Sequence, residues 1–413
     1  MKPVPSPEYE RKLGILYYQT KTKGVGGKIR VSYEDFVVKE VNILNTYTSE
    51  GKYAYYELIK KGVDTLTALM MISKKLKIPM RRIGYAGLKD AKALTYQLVS
   101  IPSKYKIPKH ININNHVALK FLGLGKFPLR KGMLQGNIFK VFIRDVSGIG
   151  IENRLSNILH EIDENGGLYP FYGHQRFGTI RPNTHVVGKF LVKRKWEEAV
   201  TEIVGHPHPG ESLRVCEARR IFEETGEAKE ALKLFPRKYV YERIILKHLI
   251  RKPRNYFYAL RKLPKFIIRF YIEAYQSFIF NKYVSKRIEL DISPSTAIEG
   301  DMIVRNSEFA IVHTRVKIDP LREKILLPLI GYKTLKFDRN LKEVLKEENV
   351  SAKEFLVKEL NVGVEGGFRK TPMIVRNLDY VVFGRNVFLS FFLNKGYYAT
   401  IFLREIMKNE NVF

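Results

Sequence analysis

The chain has 413 residues, 45% of them hydrophobic and 12% aromatic, enough for two or three domains and too apolar for wholesale disorder. Lys and Arg number 72 against 42 Asp and Glu, giving a formal charge of +30 and a pI near 9.8. So large an excess points to a polyanionic partner (RNA, DNA or an acidic membrane surface) and away from a small acidic metabolite. The single cysteine, Cys216, excludes a disulfide framework and a cysteine zinc cluster, and fits a reducing, cytoplasmic setting. Residues 1–18 lack the apolar run of a signal peptide, and charges interrupt each apolar stretch before about 18 residues, so no membrane span is expected.

In chain order, residues 29–41 (IRVSYEDFVVKEV) and 53–59 (YAYYELI) give strand signals. Leu66, Leu69, Met70, Ile72 and Leu76 form a helical stripe opened by a Thr or Asp cap. Residues 83–101 start in a glycine-punctuated turn and end extended. Strands are expected at 117–122 and 138–146, joined by a basic, glycine-rich loop, and an amphipathic helix at 152–164. Around Trp196 the texture changes: 189–203 and 217–235 read as charged helices. Between Lys233 and Arg269 stand twelve Lys/Arg and one acid, Glu242, interleaved with Tyr239, Tyr241, Tyr256, Phe257, Tyr258 and Phe266. Residues 267–284 read as a buried helix, 301–313 and 325–330 as strands, and 342–359 as one or two polar helices. A final strand at 380–393 precedes a closing helix at 399–407.

The common nucleotide motifs are missing. Gly24-Val25-Gly26-Gly27-Lys28 lacks the spacing of a phosphate-binding loop, and no G-x-G-x-x-G follows a strand. His206-Pro207-His208 has two imidazoles without a suitable third ligand nearby, so no metal is expected. No G-x-S-x-G elbow is present, and Cys216 has no neighbouring base. What stands out are polar residues in glycine-punctuated loops. Asp90 lies in Gly84-Tyr85-Ala86-Gly87-Leu88-Lys89-Asp90-Ala91-Lys92-Ala93, where an aspartate serves either chemistry or a helix cap or Asx-turn. Arg176, in His174-Gln175-Arg176-Phe177-Gly178 and near Phe171 and Tyr172, suits phosphate and base contact or a snorkelling arginine on an aromatic turn.

These blocks resemble the TruD family of tRNA pseudouridine synthases. The motif at 84–101 (GYAGLKDAKALTYQLVSI) is similar to the family's catalytic block, with Asp90 at the catalytic aspartate. FYGHQRFG at 171–178 and AYQSFIFN at 274–281 resemble two further blocks. EDFVVKE at 34–40, GNIFKVFIR at 136–144 and KGYYATIFLRE at 395–405 complete a series in family order from residue 30 to 406. Four of the five glutamines fall in or beside these blocks. Two positions depart from the pattern: Pro170 replaces an Asn that helps hold the catalytic loop, and Leu393-Asn394 replaces Leu-Pro.

The resemblance implies isomerisation of uridine to pseudouridine in tRNA, at uridine-13, with no cofactor, metal or nucleotide. It implies an α/β (α+β) fold: a catalytic domain with a mixed, mainly antiparallel sheet and a central cleft, interrupted by an α/β insertion domain. Residues 1–190 plus 374–413 are expected to form the catalytic domain and 191–373 the insertion, in a monomer. Asp90 is the nucleophile at C1′ or the base for the 2′ proton, and Arg30 its ion-pair partner, with Lys89 as neighbouring candidate. Tyr172 is the base-stacking plate, and Lys89, Phe171, Gln175, Arg176 and Phe177 are substrate contacts. The basic stretch on the insertion domain, Arg237, Lys238, Arg243, Lys247 and Arg251 followed by Lys252, Arg254, Arg261 and Lys262, is expected to hold tRNA phosphates. The rival reading is a non-catalytic RNA-binding or assembly factor on the same fold.

Overall fold

Alternating and β-branched segments in the first third of the chain, joined by two strands near its C-terminal end, become a nine-stranded sheet. The strands are β1 (Phe36–Asn42), β2 (Tyr53–Lys61), β3 (Gly84–Tyr85), β4 (Leu94–Pro102), β5 (His110–Asn114), β6 (Val117–Gly125), β7 (Leu134–Ile143), β8 (Arg376–Phe383) and β9 (Asn386–Asn394). Their order is β8-β9-β7-β1-β4-β2-β6-β5, with β3 on β4. All pairings are antiparallel except β1 with β4, where Val37, Val38 and Lys39 lie beside Leu94, Thr95 and Tyr96. The computed structural model describes residues 2–44, 47–335 and 338–409.

The chain divides into two compact units, Thr20–Gly167 with Met373–Phe413, and Met1–Gln19 with Leu168–Pro372. The first contains the large sheet. Ala54, Tyr56 and Leu58 of β2, Val99 and Ile101 of β4, and Leu119 of β6 form a core against helix Thr65–Leu76, whose Ala68, Leu69 and Ile72 are fully buried. Asp64 is that helix's cap, accepting from the Thr67 amide at 3.0 Å. A second apolar patch joins Phe36, Phe139, Phe391 and Phe402 through ring contacts at 4.8–6.1 Å, under the buried helix Ala399–Met407. Directly opposed residues in the register share a face, so both patches lie on one side of the sheet. Near its middle that side carries four buried polar residues: Glu40, Lys60, Thr95 and Gln97.

The second unit is helical around the helix Lys265–Glu289, with a four-stranded antiparallel sheet at Met302–Arg305, Glu308–Ile311, Glu323–Leu329 and Gly367–Thr371. Helix Thr184–Val192 packs on the long helix at Gly188, where a Cβ would lie 2.0 Å from the Tyr271 carbonyl oxygen. Residues 168–190, like 1–19, group with the helical unit, so the compact units divide at 167/168 and 372/373, where the expected boundaries are 190/191 and 373/374.

Several elements differ from expectation. The strand signal at 29–41 begins only at Phe36, because Ser32 and Asp35 form a capping box around a short 3-10 turn. The segments 301–313 and 380–393, expected as single strands, each contain a hairpin. Asn306 and Ser307 (φ 47° and 71°) turn the first, and Gly384 (φ 57°) the second. Residues 342–359 hold one helix, Arg339–Glu347, followed by 3-10 turns and a two-residue strand. Among the described residues, no helix is long and apolar enough to cross a membrane.

Candidate active site

Asp90 lies on the loop between β3 and β4, which the glycine-rich sequence leaves without regular structure. Three residues, spaced three and four apart, anchor this loop. Ala86, Lys89 and Ala93 are buried, while Leu88, Asp90, Ala91 and Lys92 are exposed. The Lys89 amide donates to Thr65 Oγ1 at 2.9 Å, Thr65 Oγ1 donates to Gln97 Oε1 at 2.9 Å, and Gln97 Nε2 donates to the Gly87 carbonyl at 3.2 Å. The Lys89 ammonium pairs with Glu40 at 2.7 Å, their side chains 5% and 0% exposed. Beneath the loop, Lys60 Nζ donates to the carbonyls of Val63, Lys89 and Asp90 at 2.7, 3.3 and 2.8 Å.

Arg30 Nη2 meets Asp90 Oδ2 at 3.0 Å. The arginine side chain is 13% exposed and the aspartate 43%, so the cation is the buried partner and the carboxylate faces outward. The guanidinium carbon sits 4.3 Å from the centre of the Phe36 ring. Burial pushes the Arg30 guanidinium below its ordinary pKa, and the charge and hydrogen bond of Asp90 oppose that shift.

The segment that delivers Arg30 is clamped at both ends by Arg144. Its main chain exchanges two hydrogen bonds with Lys28, at 2.7 and 2.8 Å, and its guanidinium forks onto the buried Asp35 carboxylate at 2.6–3.0 Å. Between these clamps Arg30 adopts a left-handed backbone, φ 62°, which a non-glycine residue holds only when its surroundings enforce it. Gly27 permits the approach to β7, since a Cβ there would lie 2.6 Å from Ile143 Cγ2.

In the helical unit the aromatic block is held differently. The Tyr172 amide donates to Asn281 Oδ1 at 2.8 Å, and Asn281 Nδ2 donates to the Tyr172 and Leu13 carbonyls at 3.1 and 3.0 Å. Arg369 lies 4.1 Å above the half-buried Tyr172 ring and donates to the Pro170 carbonyl at 2.6 Å. The Phe280 ring meets its edge at 5.6 Å.

The structure places the other expected site residues as follows. Lys89 pairs with the buried Glu40, while Asp90 pairs with Arg30. Phe171 and Phe177 are fully buried and offer no face to a base. Arg176 is turned onto the long helix, donating to Ser277 Oγ and Glu273 Oε2 at 3.1 Å each. Gln175 is half-buried, its Oε1 buried without a hydrogen-bond partner. Of the basic stretch, Arg237, Lys238, Lys247, Arg251, Lys252, Arg254, Arg261 and Lys262 are exposed. Arg243 is half-buried and spends its guanidinium on the Leu232 and Phe235 carbonyls. His206 Nδ1 contacts Glu223 Oε1 at 2.6 Å. Sequence reading passed over Lys60, Glu40 and Thr65; their signal is a polar residue at a core-facing position of a strand or helix start.

The comparisons with known proteins agree on one family. The model for tRNA pseudouridine synthase D (TruD) matches residues 12–406. A Pyrococcus furiosus protein assigned as a probable tRNA pseudouridine synthase D is 36% identical, over 96% of this chain and 99% of that protein. A Methanosarcina acetivorans protein of the same assignment is 35% identical, over 99% and 98%. The crystal structure of a protein assigned as TruD from Methanosarcina mazei superposes with a TM-score of 0.80 at 33% identity, covering 98% of each chain.

The buried pair behind the loop is testable. Removing one partner of such a pair costs about 3–5 kcal/mol. Glu40→Leu is expected to lower the denaturant midpoint and to speed amide exchange across residues 86–93. Unchanged exchange there would show that the pair does not hold the loop.

Proposed function

Because the chain belongs to the TruD family of tRNA pseudouridine synthases, we propose that it isomerises a uridine of tRNA, uridine-13, to pseudouridine with Asp90 as the reacting carboxylate. The observation that carries this reading is the outward-facing Asp90 carboxylate held by a buried guanidinium at 3.0 Å. The reaction breaks the N1–C1′ bond, turns the uracil and joins C5 to C1′. The C5 hydrogen leaves as a proton and N1 gains one, so the balance needs no oxidant, donor or cofactor. Asp90 acts on the sugar as nucleophile at C1′ or as base for the 2′ proton, and both roles require an ionised carboxylate with a fixed direction. Arg30 supplies the fixing charge, and its burial keeps water from competing for the pair.

A stacked uridine must leave its helix before a carboxylate can reach its sugar, at a cost of a few kcal/mol. Tyr172, stiffened by Asn281 and Arg369, is the proposed stacking plate, recovering roughly 1–3 kcal/mol. The exposed cations of the 237–262 stretch are the proposed phosphate contacts, with Lys247 and Arg251 one turn apart on helix Val240–Arg251. The protein acts as a monomer in this reading.

Purified protein is expected to release tritium from C5-labelled uridine in tRNA without added cofactor, and Asp90→Asn to release none. Release by both would remove Asp90 from the mechanism, and release by neither would favour the non-catalytic factor. Arg30→Ala should lower the single-turnover rate about 100-fold while tRNA affinity changes less than about threefold; comparable losses in both would defeat its assignment. Lys247→Ala and Arg251→Ala should weaken tRNA binding and each reduce the slope of log K against log salt by roughly 0.7–0.9. An unaltered slope would place the RNA elsewhere.

A further inference from the structure

Strand β2 buries Tyr55 in a separate cluster, and its Ala54, Tyr56 and Leu58 belong to the core under helix Thr65–Leu76. The next residue of that parity is Lys60, as buried as the leucine before it, each 0% exposed. A lysine at such a position carries a large desolvation penalty unless its ammonium is fully bonded. It is: the three N–H donors of Lys60 meet three carbonyl oxygens, of Val63, Lys89 and Asp90, at 2.7, 3.3 and 2.8 Å. Two of these belong to consecutive residues of the candidate catalytic loop, and one to Asp90 itself.

We propose that Lys60 is a positioning residue for the reaction, its protonated ammonium fixing the main chain on both sides of Asp90 and so aiming the carboxylate. The proposal rests on the reading of Asp90 as the reacting group. Asp90 then has two cationic supports of different kind. Arg30 holds the carboxylate from the side, and Lys60 holds the peptide groups from beneath. A methionine of similar length fills the same space and supports the same core, but leaves three buried carbonyls without a donor.

Electrostatics adds a way to separate positioning from packing. Burial pushes the Lys60 ammonium down to about 8 from its ordinary 10.5; the charges of Asp90 and Asp64 oppose this, and Lys89 adds to it. Those are the charged groups around it, from the loop and the helix cap, while Thr95 and Val117, opposite it on the neighbouring strands, are uncharged. A neutral amine has two N–H donors and a lone pair, so deprotonation leaves one of the three carbonyls unmatched. The effects on rate and on stability have opposite signs. With the folded value below the unfolded one, the contribution of Lys60 to stability is greatest above 10.5 and is lost as pH falls through about 8. Raising the pH through about 8 therefore stabilises the fold at this group while disarming the loop.

The test is single-turnover pseudouridine formation and tRNA affinity for wild type, Lys60→Met and Lys60→Arg across the alkaline range. Lys60→Met is expected to lose about 100-fold in rate with tRNA affinity within about threefold of wild type. The wild-type rate should fall above pH about 8 without a matching fall in melting temperature, and Lys60→Arg, permanently charged, should carry that limb to higher pH. A Lys60→Met rate within about twofold of wild type, or an alkaline limb unmoved in Lys60→Arg, overturns the proposal. If Lys60→Met does not fold, the comparison of wild type with Lys60→Arg decides. Turnover that survives Asp90→Asn defeats the functional reading beneath. Turnover that needs Asp90 but is indifferent to Lys60 defeats this proposal alone.

Discussion

The ion pair between Arg30 and Asp90 works because its two members are unequally buried. A guanidinium that is 13% exposed has lost much of its hydration, and its Nε is buried without a hydrogen-bond partner. Asp90 is the ion-pair partner it has among the described residues, so the arginine is committed to that carboxylate. The carboxylate, at 43%, keeps a face for another molecule. Were the burial reversed, the aspartate would be sealed and the arginine free to wander. The Phe36 ring under the guanidinium and the left-handed backbone at Arg30 enforce the order, and both are fixed by sheet elements.

Arg144 links two segments distant in sequence to that pair. It ends the GNIFKVFIR block, and it grips Lys28 through its main chain and Asp35 of the EDFVVKE block through its side chain. The segment carrying Arg30 is thereby closed into a short clamped loop whose ends cannot drift apart. Elsewhere, too, arginines serve as internal fasteners. Arg287 pairs with Asp301 and Arg219 with Glu211, each side chain at most 4% exposed. The net charge of +30 therefore has two populations. Arginines such as these are spent on carboxylates and carbonyls, and a mostly exposed set on residues 237–262 faces solvent.

Periodicity made the helices legible. Helices form at 65–76 and 399–407, where they are expected, the first capped by Asp64. The buried face of the first is Ala68, Leu69 and Ile72, while Leu66 and Met70 of the expected stripe are exposed, and the second is buried on all sides. The hairpins at 302–311 and 376–394 were hidden because Asn-Ser and Gly-Arg turns interrupt the β signal by only two residues. Site residues were legible as a block, but their individual burial was not. Within 86–93, burial varies from one residue to the next, so Lys89 is sealed against Glu40 while Asp90 faces outward. Phe171 and Tyr172 divide in the same way. Lys60 carried the opposite clue: a charged residue in phase with Tyr56 and Leu58 must find partners at that depth, and the loop supplies them.

The proline at position 170 removes an asparagine expected to hold the catalytic loop, yet each neighbourhood has its own supports. The loop bearing Asp90 is fastened inside the sheet unit by Lys60, Thr65, Gln97 and the Glu40–Lys89 pair. Around Pro170 itself, Asn281 bonds both the amide and the carbonyl of Tyr172, the reciprocal pattern a backbone partner would make. Arg369 joins the Pro170 carbonyl to the Tyr172 ring, so one side chain fixes both the approach and the plane of the aromatic. Proline lacks an N–H and has a fixed φ, so it adds stiffness there without needing a donor's partner. A polar side chain lost at one position is offset where a rigid residue and a doubly bonded amide restrict the same main chain.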